Sequence, residues 1–368
     1  MARLPEPTKG TVLDQDYARH GFPLRTGPPY VALILASDPW EYLYYHLRDT
    51  LTDTRARPSL AFLEQARDFF DAAQSHRVSS RPLLYYYSFL NLAKVLLLAR
   101  RRRLSDTPMH GLAMVKAGSR GGRRFDFQRV RVRKGAPGEE VFPELVQALG
   151  GSVTDGQKFK VVQLLQQIVG IHSTWAEVAG KCSCFASARI EPVVRSDHAA
   201  VFSRVLVRKP WDNPGVWKLI CKRAHWSQVR LPERHRIGAS GAADLVCLET
   251  SPVPRKGVSY RSALADLAHG IRAIGVHALL TRQGYRLYLS DFGQAEKARL
   301  PQAASIYAAM FYLGAITRYQ PQDFDTIVSG SWAWLVSDFL SSQPKQFLYL
   351  MAGEITGNDV VVPFGQLD

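Results

Sequence analysis

Two stretches of this chain, residues 83–99 and 306–319, are apolar on nearly every side when wound as helices. A helix with no polar face has to be enclosed by other elements. Neither stretch has enough local neighbours to cover it. The economical fold packs the two together, with helical stretches 60–74 and 332–355 outside them. The first begins with helix-start chemistry: Ser79 or Ser80 as a cap, and Pro82 in the first turn, where a missing N–H costs little. Pro321 stops the second. One polar seam interrupts the first. Tyr87, Asn91 and Lys94 are spaced four and three residues apart, so they share a helical face.

The flanking segments fill in the architecture. Pro39-Trp40 opens a further helix, and Leu63, Ala66, Phe69, Phe70 and Ala73 line one face of residues 60–74. That face predicts an antiparallel hairpin with 83–99. From 125 to 133, apolar residues alternate with polar or charged ones, predicting a strand with one wet, cationic face. Residues 159–178 read as one helix ending near Gly180. Strands are predicted at 188–194, 201–209 and 244–251, with a hairpin over 277–290 turning at Arg282-Gln283-Gly284 and a helix over 262–276. Two helices follow at 331–340 and 346–355. The expected fold class is α+β and helix-rich: a helical bundle built from N- and C-terminal segments, with an inserted mixed α/β region. The expected divisions are an arm (1–38), the N-terminal helical part of the bundle (39–115), the inserted basic region (116–298) and the C-terminal helices that complete it (299–368).

Charge then limits function. The formal net charge is +15. From Arg100 to Lys134 there are twelve Lys/Arg against two Asp, a local excess of ten. Two-thirds of the excess charge in under a tenth of the chain points to a binding face for a polyanion, nucleic acid first. The candidate phosphate ligands are Arg100, Arg101, Arg102, Arg120, Arg123, Arg124, Arg129, Arg131, Arg133 and Lys134. Phe125 and Phe127, with Trp211, are candidates to stack on bases. Two plainer readings stand beside this one: a solvated charged surface, or a basic subunit neutralised by an acidic protein partner in a larger assembly.

Other chemistry finds little support. No Gly-x4-Gly-Lys-Ser/Thr loop occurs, and His198, His225 and His235 are scattered. Asp244 and Glu249 stand five apart on a predicted strand and so face opposite sides, which argues against a shared metal. Glu139-Glu140 reads as surface loop. No metal and no cofactor are expected. Cys182, Cys184, Cys221 and Cys247 read as reduced, buried thiols, which suits the cytoplasm. The tyrosines, Asn91 and Lys94 make residues 83–99 a buried soluble helix, not a membrane span.

Four stretches resemble the YaaC-like family of bacterial proteins. They are Phe69 to Ala72, the block Arg81-Pro-Leu-Leu-Tyr-Tyr-Tyr…Asn91-Leu-Ala-Lys94…His110-Gly-Leu112, Phe311-Tyr-Leu-Gly-Ala-Ile-Thr-Arg318-Tyr319-Gln-Pro321, and the tail Phe339-Leu…Phe347-Leu-Tyr-Leu. The resemblance implies an architecture spanning both ends of the chain more than it implies an activity. Its family context carries the expectation of an accessory subunit in a bacterial anti-phage or stress-response assembly. More loosely, Ala66-Arg-Asp-Phe-Phe, the Tyr-Tyr and Leu-Ala-Lys pairing and His-Gly are similar to helical HEPN-type domains. Some of these are metal-independent ribonucleases with an Arg-x4-6-His motif. That similarity implies Arg103 for charge stabilisation, with Arg102 as its substitute, and His110 as acid or base. A plainer role for His110 is to hydrogen-bond the helix hairpin.

Overall fold

A computed structural model describes residues 4–13, 33–75, 79–115, 125–208, 217–218, 220–222, 225–233, 245–255, 257, 262–263, 266–267, 276–281, 284–290 and 299–362. In chain order the elements begin with β1 (Gly10–Val12), β2 (Leu33–Leu35), α1 (Pro39–Thr50), α2 (Asp53–Ser75) and α3 (Arg81–Ala99). Then come β3 (Leu112–Met114), β4 (Arg129–Val132), α4 (Val141–Ala148), β5 (Lys158–Lys160), α5 (Val161–Gln166) and α6 (His172–Ala179). A strand-rich run follows: β6 (Phe185–Arg195), β7 (Ala200–Arg208), β8 (Ser227–Val229), β9 (Leu245–Glu249), β10 (Val253–Pro254), β11 (Val276–Thr281) and β12 (Gly284–Ser290). The chain closes with α7 (Gln302–Tyr319), α8 (Pro321–Val328), α9 (Ala333–Thr356) and β13 (Asp359–Val361). It is a mixed, helix-rich protein in two compact units, one of residues 1–32 and 182–296, the other of residues 33–181 and 297–368. Residues 33–38 and 116–181, grouped by sequence with the arm and the insertion, fall in the second unit.

In the helical unit α3 lies at the centre. By length and composition alone it could cross a membrane, but here its side chains are buried among α2, α7 and α9 in one hydrophobic core. Phe89 stacks on Phe347 of α9 with ring centroids 3.9 Å apart. Phe70 of α2 meets Tyr85 edge-on at 5.3 Å. Each such pair adds about 1 kcal/mol beyond the apolar area it buries. Against α7 the approach is closer still. A Cβ on Gly314 would lie 3.1 Å from both the Pro82 carbonyl and the Tyr86 Cβ, so at this crossing a side chain would press the helices apart by a few tenths of an ångström. Strand β13 runs parallel to β2, with Val360 opposite Ile34, and so joins the two ends of the unit.

Two helix boundaries differ from expectation. Residues 331–340 and 346–355 form one helix, α9, with Pro344 inside it. Pro344 is buried and Phe339, Leu340, Phe347 and Leu348 remain in the core on either side. Continuous burial therefore outweighs the backbone hydrogen bond that proline removes, a loss of about 3 kcal/mol in an exposed helix. Conversely, residues 159–178 split into β5, α5, a short 3-10 turn and α6. The Val169 N–H donates to Gln302 Oε1 at 3.1 Å, outside any helical ladder, which breaks the helix there.

The other unit is an antiparallel sheet in the order β11-β12-β6-β7-β9-β8, with β1 pairing β6 and β10 pairing β7. The predicted strands and the 277–290 hairpin are all present, though the turn at Arg282-Gln283 lies outside the described residues. Residues 262–263 and 266–267 of the predicted helix are helical; most of the rest of it lies outside the description. None of the four cysteines forms a disulfide, but only Cys247 is buried and Cys182 is exposed, which corrects the expectation of four buried thiols.

Candidate functional site

The strongest cationic feature is the small antiparallel ladder β3-β4-β5. Strand pleating alternates side chains, so Val130 and Val132 enter the core while Arg129 and Arg131 face water. The register sets Arg129 opposite Lys160 and Arg131 opposite Lys158, two like-charged cross-strand pairs. Lys158 is exposed and Lys160 half-buried. Among the described residues none of the four pairs with an acid, and like charges placed directly opposite destabilise a ladder. Arg133 and Lys134 continue the exposed edge. Lys158 and Lys160 were missed in the sequence because Lys-Phe-Lys was read as the start of a helix. Its polar-apolar-polar alternation, the same as Arg-Val-Arg, was the available signal.

The arginine run behaves differently. Arg100 donates to the Glu354 carboxylate and to the carbonyls of Ala148 and Glu354. Arg102 pairs with Glu144 at 2.9 Å and donates to Gln147 Oε1 at 2.8 Å. These two candidate phosphate ligands are structural cations, a correction to the sequence reading. Arg101 and Arg103 are exposed. Phe125 is also corrected: it is buried against Tyr312 and Trp332, whereas Phe127 is 52% exposed. Arg120, Arg123, Arg124 and Trp211 lie outside the described residues.

The polar seam of α3 leads to a second cluster. Asn91 is buried, with Lys94 donating to its Oδ1 at 3.5 Å and its own Nδ2 donating to Gln65 at 3.3 Å. Lys94 also lies over the Phe62 ring at 4.7 Å. On α7 the positions 307, 311, 314 and 318 fall at helical spacing. Tyr307 and Phe311 pack edge-on against Tyr86, at 5.8 and 5.3 Å, Gly314 admits the close crossing, and exposed Arg318 donates to Tyr87 Oη at 2.9 Å. His110 joins from the loop after α3, with Nδ1 2.7 Å from Tyr86 Oη. Its backbone is pinned. Phe142 N–H donates to the His110 carbonyl at 3.3 Å, and Gly111, at φ +77°, passes so near Pro143 and Phe142 that no Cβ would fit.

The electrostatics of this cluster follow from burial. His110 is held below its usual pKa by burial, then by Lys94 and Arg318, so its imidazole is neutral at pH 7. Burial lowers Lys94 as well. Burial raises Tyr86 well above the usual phenol range, and Tyr307 far above it with the Glu140 charge adding to the effect. Tyr307 meets Tyr86 side chain to side chain, whereas Glu140 Oε2 is buried without a hydrogen-bond partner among the described residues, so Glu140 is not simple surface loop. The cations acting on His110 are Lys94 and Arg318, and no described contact links it to Arg103. Residues 101–111 form no helix, so the paired Arg103/His110 geometry of the ribonuclease alternative is not assembled here.

Glu249 is part of the strand-rich unit's framework. It pairs with Arg204 at 3.1 Å, both side chains nearly buried, and accepts from Thr8 N–H at 3.0 Å and Thr8 Oγ1 at 2.7 Å. Its lone pairs are therefore committed. Asp244, His235 and Lys256 lie outside the described residues, while His198 and His225 take left-handed φ values of 56° and 53°. Among the described residues no group of His, Cys, Asp and Glu could hold a metal ion.

All-round-apolar helices drawn from both ends of one chain, a separate antiparallel sheet and an unpaired cationic ladder define a basic, mixed α/β protein. The YaaC-like Protein family matches residues 28–355, and the chain belongs to that family. No curated protein and no solved structure matches it.

Proposed function

We propose that this protein binds nucleic acid, as an accessory member of a larger cytoplasmic assembly of the anti-phage or stress-response kind. In this reading the N- and C-terminal helices complete one bundle, and residues 182–296 are inserted into it. The observation that carries the proposal is the β4/β5 face: Arg129, Arg131, Lys158 and Lys160 are set opposite one another with no acid between them among the described residues. Four cations aligned across a ladder repel one another, and the phosphates of a bound strand would relieve that repulsion. Arg133, Lys134 and exposed Phe127 extend the face, and Phe127 is placed to stack on a base.

The test is binding of labelled single-stranded RNA and DNA at several salt concentrations. Each phosphate contacted on a single strand should steepen the log–log salt dependence by about 0.7. The double variant Arg131→Glu, Lys158→Glu should flatten the slope by about two contacts, while Arg102→Ala should not change it. Binding with no salt dependence, or an unchanged slope in the double variant, would sink the proposal. Cleavage of the RNA in EDTA, lost in His110→Ala with binding retained, would replace it with the ribonuclease alternative.

A further inference from the structure

We infer that the cluster of Lys94, Arg318, Tyr87 and His110 is a second anion site, separate from the β4/β5 ladder, which takes the phosphate group of a nucleotide or of a polynucleotide. Four observations support it. First, Lys94 lies on the same α3 face as Tyr87, to which Arg318 of α7 donates, and among the described residues neither cation is ion-paired. Second, both are oriented. Arg318 is held at 2.9 Å by Tyr87 Oη and stacks 5.1 Å from the Tyr319 ring, while the Lys94 stem is fixed over Phe62. Oriented cations with unused N–H donors recognise phosphate oxygens better than mobile surface ones.

Third, His110 supplies a neutral donor. Tyr86 keeps its proton because it is buried, and its hydroxyl meets both His110 Nδ1 and the Tyr307 side chain. In the tautomer where Tyr86 donates to Nδ1, the imidazole proton is on Nε2, which meets no described partner and can donate to a phosphate oxygen. Fourth, Tyr319, 65% exposed, lies beside Arg318. An exposed aromatic face next to an oriented cation is the pattern for a nucleoside phosphate. Tyr87, Lys94, His110 and Arg318 come from two of the stretches that carry the family resemblance, which the ladder does not.

The experiment is calorimetric titration of the full chain, with thermal-unfolding shifts as a second readout. The probes are inorganic phosphate, adenosine monophosphate and a short oligoribonucleotide without terminal phosphates, each against sodium chloride at equal ionic strength. Arg318→Ala at the surface and Lys94→Met, which keeps the packing on Phe62, should each weaken binding by about tenfold or more, the usual worth of a charge-assisted hydrogen bond. Arg131→Glu, Lys158→Glu should leave phosphate and monophosphate binding unchanged. That separates this inference from the nucleic-acid proposal, since either can then fail alone. Binding of the monophosphate assigns a free nucleotide; binding of the oligoribonucleotide alone, lost in Arg318→Ala, assigns a backbone phosphate. If no probe raises the unfolding midpoint above the chloride control, or if both variants bind as wild type does, the inference is wrong.

Discussion

The arginine run 100–103 and the alternating strand 129–132 bring similar charge to the same unit and meet opposite fates. Arg100 and Arg102 turn inward to Glu354 and Glu144, carboxylates 254 and 42 residues away. Arg129 and Arg131 turn outward because their strand neighbours Val130 and Val132 are committed to the core. The density of charge in a sequence therefore does not say whether the charge is available. Consecutive arginines after a helix lie where internal carboxylates and carbonyls can reach them, whereas a two-residue period with valine in the alternate positions forces every cation to the wet face.

The largest expected effect breaks the inward half of that contrast. In Arg100→Met, Glu354, whose side chain is 2% exposed, keeps its charge and loses its partner. Removing one member of a buried pair costs about 3–5 kcal/mol, and because Arg100 is 30% exposed the lower end applies, about 3 kcal/mol. Chemical denaturation measures it. The double variant Arg100→Met, Glu354→Leu should recover most of the loss, because a well-packed apolar pair replaces an ion pair at little cost. If Arg100→Met unfolds at the wild-type midpoint, Arg100 is no structural cation and returns to the list of candidate phosphate ligands.

A smaller effect concerns the buried histidines. His46, His110 and His172 are each depressed below 6.5, in every case chiefly by burial. The native state then binds fewer protons than the unfolded chain once the pH drops below about 6.5. Stability is therefore full above that pH and lost as pH falls through the lower folded values. Each pH unit of depression corresponds to about 1.4 kcal/mol. His110→Gln, whose side-chain oxygen can still accept from Tyr86, should shallow the loss between neutral and mildly acidic pH. An unchanged slope would mean that His110 is not depressed in the folded state.

What was legible in the sequence follows the same division. Local periodicity revealed the all-round-apolar helices, the α3 seam and the alternating strand, because each depends on neighbours within a few residues. It did not reveal that α9 continues through Pro344, since the compensating burial comes from distant elements. Nor did it show that Val169 gives its N–H to Gln302. Tyr87, Asn91 and Lys94 could be grouped from spacing alone, but Arg318 could be assigned to them only once Gly314 had brought α7 against α3. Phe125 was misread because an aromatic within a cationic alternation looks like a stacking platform until a core residue such as Trp332 is known to cover it.

Arg102 should behave less strictly than Arg100. Its pair with Glu144 is more open, 28% and 19% exposed, and Gln147 shares the guanidinium. Arg102→Ala should therefore cost about 1 kcal/mol, at the upper end for partly solvated pairs. A loss as large as that of Arg100→Met would show that solvent access is not what separates the two arginines.

The smallest shift in stability tests the outward half, and its sign matters more than its size. Arg131→Glu places a carboxylate opposite Lys158 and turns a repulsive cross-strand pair into an attractive one. The ladder should gain roughly 0.2–1 kcal/mol, read as a slightly higher denaturation midpoint at low salt that fades as salt is added. The same substitution should weaken nucleic-acid binding. A residue whose removal stabilises the fold and impairs binding is retained for the ligand, not for the structure. If Arg131→Glu lowers the midpoint instead, some contact within the fold already neutralises the ladder, and the contrast with Arg100 disappears.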